Sequence, residues 1–229
     1  MLNILLSVVV TLICLASVFF QGVNDMYIWD KKFDSTDYLY GKTPHAYIKE
    51  VFDQEANDNE KVLILAEGEG RNAVYLAKLG YDVTTYDLSK VGIEKQLKLA
   101  NEMDVKIDAR YGDVTKQDLI PADQFDYTVN VFGHVLTEDK PGMFNNLIHP
   151  LVNHGHSYFE FYSKDQVDFG TGGPKDVNML YDTDEIKTIL SHLPVKIHRL
   201  EKIEIERHEG NKHNGLGSVI QGHIEKIEN

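Results

Sequence analysis

The densest chemistry in the sequence lies in Glu67-Gly68-Glu69-Gly70-Arg71-Asn72-Ala73, with a further acid, Asp87, downstream. Glycine permits positive-φ backbone and close approach of a ligand, and G-x-G-x-x-G/A opening a helix, followed by an acid near this spacing, predicts an adenosine-containing ligand. Asp87 would accept hydrogen bonds from both ribose hydroxyls. The turn alone leaves two ligand classes open. A dinucleotide would set its pyrophosphate on the helix N-terminus. S-adenosylmethionine instead presents an ammonium and a sulfonium. Glu67 and Glu69 would repel a pyrophosphate and attract those cations, which favours the second class. The plain alternative makes both glutamates solvated loop or first-turn residues.

Other polar residues fall at informative places. His134 and Asp113 each follow a predicted strand, at the carboxyl edge where open α/β sheets bind ligands. His134 could take a proton from an incoming thiol or hydroxyl, hydrogen-bond the cofactor, or close the pocket wall. Asp113 could read an adenine amino group or cap its own turn. The 10 histidines invite a metal hypothesis. However, His149, His154 and His156 surround one turn and His208 and His213 lie in a hairpin, without the i, i+4 pairing of a helical zinc site; the expectation is surface histidines and no metal. The single cysteine, Cys14, offers no disulfide framework and no nucleophile to the folded part, and no Ser-His-Asp arrangement is visible.

The elements that must position these groups alternate. Val62–Leu65 is a short apolar run suited to a buried parallel strand, Arg71 opens a helix with Ala73, Leu76, Ala77 and Leu79 on its apolar face, and Gly80 stops it. Strands follow at 82–86, 106–111, 125–132 and 156–162, and helices at 91–103, 142–151 and 183–190. Two alternating segments, 196–206 and 216–226, joined by the polar EGNKHNG, read as a hairpin. Upstream, a helix is expected from Pro44 to Phe52. The aromatics Trp29, Tyr38, Tyr40 and Tyr47 form an arm that either closes over a ligand pocket or covers the sheet edge. This is an α/β, Rossmann-like, doubly wound sheet.

With Asp+Glu 36 against Lys+Arg 23 the formal charge is −13. That argues against nucleic acid or an anionic membrane surface as the main partner and favours a small molecule. Residues 1–25 are an apolar segment preceding a domain at 26–229. Its first twenty residues are uncharged and long enough to span a bilayer. Lys31 and Lys32 behind it fit an N-terminal anchor with the domain in the cytoplasm. A cleaved signal and an early start before Met26 are the other readings. Membrane contact is expected only through residues 1–20.

From Tyr27 onward the chain resembles class I S-adenosylmethionine-dependent methyltransferases, of the tellurite-resistance and thiopurine type. The resemblance is carried by Tyr38-Leu39-Tyr40-Gly41 before Pro44, by residues 65–73, by Tyr86-Asp87-Leu88-Ser89 with Val91-Gly92, and by Gly170-Thr171-Gly172-Gly173-Pro174-Lys175-Asp176 with Met179-Leu180. It implies a seven-stranded sheet, mostly parallel with a C-terminal antiparallel hairpin, and S-adenosylmethionine contacts at Ala66, Glu67, Gly68, Gly70, Arg71, Asp87, Leu88, Asp113, Val114, Val131 and Phe132. It puts Trp29, Tyr38 and Tyr40 in the acceptor pocket and His134 beside the transferred methyl group. The broad superfamily has an acid where Ile64 stands and a glycine where Ala66 stands, which shifts the methionine-amine contact to Glu67. The activity implied is in-line methyl transfer to a small acceptor, a thiol or chalcogen oxyanion. An NAD-dependent oxidoreductase and a non-catalytic cofactor-binding protein are the alternatives.

Overall fold

The computed structural model describes residues 28–54, 59–117, 119–210 and 213–228. The expectations for residues 1–25 lie outside the described residues. Among those described, no helix is long and apolar enough to cross a membrane.

After a short helical stretch at 28–33, the chain runs α1 (Ala46–Phe52), β1 (Lys61–Leu65), α2 (Arg71–Lys78), β2 (Asp82–Asp87), α3 (Lys90–Glu102), β3 (Asp108–Tyr111), β4 (Phe125–Val131), α4 (Lys140–Ile148), β5 (Leu151–Tyr162), α5 (Thr183–Leu190), β6 (Val195–Glu209) and β7 (His213–Lys226). The strands form a single seven-stranded sheet in the order β3-β2-β1-β4-β5-β7-β6. β1 to β5 pair in parallel, and β7 runs antiparallel to both β5 and β6. The order reverses direction between β1 and β4, which opens a crevice at the carboxyl ends of those strands.

Alternation in the strands feeds two cores. Leu63 and Leu65 of β1, with Phe159, Phe161 and Ile220, pack on α4 and α5 through Met143, Phe144, Leu147, Ile186 and Leu190. Val62 and Ile64, with Val83, Val129 and Tyr158, face α1 and α2 through Tyr47, Ile48, Phe52, Ala73 and Leu76. Residues of one strand thus serve helices on both faces, which is why β1 reads as an unbroken apolar run.

Two expectations need correction. The helix expected at 142–151 is α4, Lys140–Ile148, and Leu151 is the first residue of β5. Pro150 has no N–H to continue a helix, and fully buried Leu151 pairs with Phe125 instead. The strand pairing runs further into the EGNKHNG segment than expected, as far as Glu209 opposite His213. The long hairpin curls over the N-terminal arm at its tip, where a Cβ on Gly210 would lie 2.6 Å from the Leu39 carbonyl.

Candidate active site

β1 ends on a backbone built for close approach. Ala66 has φ +54, Gly68 φ +69 and Gly70 φ +99, all in the left-handed region that disfavours a side chain. A Cβ on Gly70 would sit 2.8 Å from Gln96 Cα, and one on Gly92 would sit 2.7 Å from the Gly68 carbonyl. The turn is therefore clamped against α3. Gln96 completes the clamp, donating through Nε2 to the Gly68 carbonyl at 2.9 Å and accepting from Thr85 Oγ1 at 2.6 Å. At the end of β4, Phe132 is a second non-glycine residue at positive φ, +57. Backbone strain of this kind concentrates at functional sites, and two of the six described non-glycine residues at positive φ, Ala66 and Phe132, line one cleft.

That cleft, about 360 Å³, lies at the β1/β4 crossover. Asp87 sits in it at the end of β2. Its Oδ2 accepts from Gly68 N at 2.7 Å and its Oδ1 from Ser89 N at 2.8 Å. Burial, aided by the charge of Asp30, pushes its carboxyl up to about 6 against the opposing pull of those backbone N–H groups. Each oxygen keeps a lone pair for a ribose hydroxyl.

Glu67 is buried, contrary to a solvated loop glutamate. Its Oε1 accepts from Asn72 N at 2.7 Å and Ala73 N at 2.8 Å, and its Oε2 from Asn72 Nδ2 at 3.3 Å. It thereby supplies the first turn of α2 with the cap that its Gly70 N-cap lacks. Burial raises its carboxyl to about 7, opposed by these bonds and by Arg71. The helix N–H groups that would cradle a pyrophosphate are already taken by a carboxylate, and a second buried acid, Asp87, stands across the turn. This is a poor seat for a dinucleotide and a good one for a ligand with an ammonium and a ribose. Glu69 is also buried rather than solvated, but outside the cleft. It pairs with Lys95 Nζ at 2.6 Å and accepts from Leu39 N at 2.7 Å, pinning the arm to α3.

The remaining predicted residues divide cleanly. Ala66, Gly68, Arg71, Leu88, Asp113, Val114, Val131, Phe132 and His134 line the cleft with Asp87 and Glu67. Gly70 shapes the turn from behind. Arg71 also holds Glu209 of the hairpin tip at 3.2 Å. Asp113 accepts from Thr115 N at 3.0 Å and Thr115 Oγ1 at 2.7 Å, so it caps its own turn while facing the cleft. Of the arm, Trp29 and Tyr40 line the cleft. Tyr38 does not: its hydroxyl donates to the Lys95 carbonyl at 3.2 Å and its ring packs beside Val74 and Leu99. The placement of Tyr38 in an acceptor pocket is therefore corrected; its neighbour Glu69 anchors that stretch on α3 instead. His134 Nδ1 lies 2.9 Å from the Met179 carbonyl, which accepts, and this fixes the Nδ1–H tautomer with the lone pair on Nε2. Its ring stacks on Tyr162 at 5.5 Å and 22°.

Several working residues carried no local signal. Asp30 accepts from Ser89 Oγ at 2.6 Å and Val91 N at 3.3 Å, fastening the arm to the start of α3 so that Trp29 and Phe33, stacked at 5.5 Å, cover the cleft. Asn72 falls at an unspecified position of the glycine pattern, and Gln96 belongs to none of the motifs. Behind Phe132 the Arg207 guanidinium is buried, 4.3 Å above the Tyr162 ring and 5.5 Å from that of Phe132.

Residues 62–155 match a family model described as a methyltransferase domain. No curated protein matches the sequence. Among solved structures, one described by the conversion of a disulfide bond into a thioacetal group during echinomycin biosynthesis is similar with a TM-score of 0.72 and 13% identity, over 88% of this chain and 91% of that one. TehB from Haemophilus influenzae aligns with a TM-score of 0.63 and 19% identity, over 87% of this chain and 66% of its own. An S-adenosylmethionine-dependent methyltransferase from Anabaena variabilis aligns at 0.67 and 14%, over 90% and 94%. At such identities the structures speak to the fold; the family model speaks to the domain, and it spans the glycine turn, Asp87 and Asp113. Residues 62–155 thus carry a methyltransferase domain, on a fold that the chain shares with S-adenosylmethionine-dependent methyltransferases.

Proposed function

We propose that this enzyme methylates a small, electron-rich acceptor, a thiol or a chalcogen oxyanion, as the tellurite-resistance and thiopurine type would. The observation that carries the proposal is the buried Arg207 behind Phe132. Its guanidinium, in a hollow that it shares with Arg71 and Arg199 and with the acids Glu50, Glu160, Glu206 and Glu209, is the positive group nearest the Phe132 wall that could pair with an anionic acceptor. A hollow carrying Arg207 adjoins the cleft and shares Tyr40 and Arg71 with it.

Bound S-adenosylmethionine supplies a methyl carbon already activated by its sulfonium. What falls to the protein is holding and orienting. Asp87 would accept hydrogen bonds from the ribose hydroxyls, Glu67 would offer Oε2 to the methionine ammonium, Val114 and Leu88 would flank the adenine, and Asp113 would accept from its amino group. Trp29 and Phe33 cover the cleft and exclude water, which keeps the acceptor in line with the methyl group. The bound group would supply a methyl carbon open to in-line displacement by the acceptor's lone pair, with its sulfur as the leaving group. His134 forms the wall beside the methyl group. Its hydrogen bond to Met179 and its stacking on Tyr162 give it a fixed place, and a soft acceptor needs no strong base.

The test is methyl transfer from labelled S-adenosylmethionine to an alkyl thiol, selenite, tellurite, a phenol and an amine. Saturable methylation of the thiol or an oxyanion is expected, with Arg207→Met lowering turnover of the oxyanion more than of a neutral thiol. Methylation confined to the phenol or amine would overturn the assignment.

A further inference from the structure

Three histidines that the sequence scatters over sixty-odd residues meet on the sheet, far from the cofactor cleft. His156 lies midway along β5, opposite Tyr127 in the amino-terminal half of β4, whereas the cleft is at the carboxyl end. His223 is on β7, opposite Tyr158, diagonal to His156. His198 is on β6 at a β-bulge: Ile197 pairs with Ile224 and Arg199 with His223, so His198 is the extra residue. A bulge re-aims a side chain, and here it brings His198 over His223, with ring centroids 4.7 Å apart at 21°.

We propose that His156, His198 and His223 bind one divalent transition-metal ion of the zinc class. One nitrogen from each lies within 4.8 Å of the others. Tetrahedral bonds of about 2.0–2.1 Å to zinc place ligand nitrogens about 3.3 Å apart, and His156 Nδ1 and His223 Nε2 are 3.1 Å apart as they stand. His198 is exposed and has room to swing in. The two inner rings are held by an aromatic shelf, His223 stacked on Tyr158 at 4.5 Å and His156 on Tyr127 at 6.4 Å. Glu225 supplies the outer support that ligating histidines usually have. Its Oε2 accepts from His198 Nε2 at 2.7 Å, which leaves Nδ1 as the nitrogen that would bind the metal, and its Oε1 accepts from His154 Nδ1 at 2.8 Å. Three imidazoles suit zinc, copper or nickel and do not suit magnesium or calcium. Because the ligands come from β5, β6 and β7, the ion would clamp the hairpin to the sheet rather than take part in methyl transfer.

The test is calorimetric titration of the chelator-treated full chain with zinc chloride, with magnesium chloride as control. One equivalent of zinc should bind and magnesium should not. His198→Ala, at an exposed position that leaves the fold intact, should weaken zinc at least about 10-fold. Glu225→Gln should weaken it by about 10- to 100-fold. His208→Ala, on the exposed outer part of β6, should leave it unchanged. Cobalt(II) should give visible absorption bands with the parent that are lost in His198→Ala. No saturable zinc binding, or equal zinc affinity in the parent and His198→Ala, would leave the trio as an ordinary imidazole hydrogen-bond cluster and overturn the proposal.

Discussion

Asp87 combines two demands that conflict in water. As the proposed ribose acceptor it would have to be ionised to accept two hydroxyl hydrogen bonds, yet burial lifts its carboxyl to about 6, well above the ordinary value of 3.8. The folded protein therefore holds this proton more tightly than the unfolded chain. Its contribution to stability is fully present below pH 3.8 and is lost as pH rises toward 6, and Glu67, raised to about 7, acts in the same sense. Binding S-adenosylmethionine reverses the preference, so the ligand should bind more tightly as pH rises through 6. Near pH 6 it should release a fraction of a proton, read from calorimetric enthalpies in buffers of different ionisation heat. In Asp87→Asn that release should shrink to the part due to Glu67. Asp87→Ala should weaken binding by roughly 1.5–3 kcal/mol, the range for hydrogen bonds to a charged group. His134→Gln should keep single-turnover transfer within a few-fold of the parent at each pH tested. A loss of about 10² in the chemical step, with a changed pH profile, would make His134 the base after all. Ala66 holds φ +54 where the superfamily has glycine. Ala66→Gly should therefore be neutral to stabilising by up to about 1 kcal/mol in thermal unfolding, whereas the same change in an ordinary strand destabilises by a similar amount.

At the scale of elements, the glycine turn works only because α3 lets it come close. Gly92 lies inside that helix, where alanine would ordinarily stabilise by nearly 1 kcal/mol. Its added Cβ would meet the Gly68 carbonyl at 2.7 Å and the Phe33 ring at 3.2 Å. Gly92→Ala should thus destabilise by roughly 1–3 kcal/mol and weaken cofactor binding together with it, as denaturant titration and calorimetry would show. The turn, the acid closing β2 and the cleft-side placement of Asp113 were legible because one βαβ unit fixes them over a short stretch of chain. Glu69 was not. A charged residue in a turn has no local sign of burial, and its partners Lys95 and Leu39 lie 26 and 30 residues away. The histidine trio was illegible for a related reason: strand neighbours across β5, β7 and β6 share a face whatever their separation in sequence, and spacing rules for helical sites do not apply.

For the molecule as a whole, alternation of buried runs and amphipathic helices specified the α/β sheet and its antiparallel end, since each element has one period and one place to bury its apolar face. What local pattern could not supply is how the two ends of the domain meet over the cleft. The arm is held by Asp30 at the start of α3, and the hairpin tip reaches back to Arg71 through Glu209, a separation of 138 residues. The crevice thus has a roof of Trp29 and Phe33, and the last hairpin buttresses Arg71 of its wall through Glu209. In the proposed reading, this crevice takes S-adenosylmethionine through acids placed where a dinucleotide would need its phosphates. Calorimetry of the parent and Asp87→Ala with S-adenosylmethionine, S-adenosylhomocysteine and NAD tests it directly. The account predicts saturable binding of the first two by the parent, weakened in Asp87→Ala, and none of NAD; NAD binding without a response to the other two would contradict it.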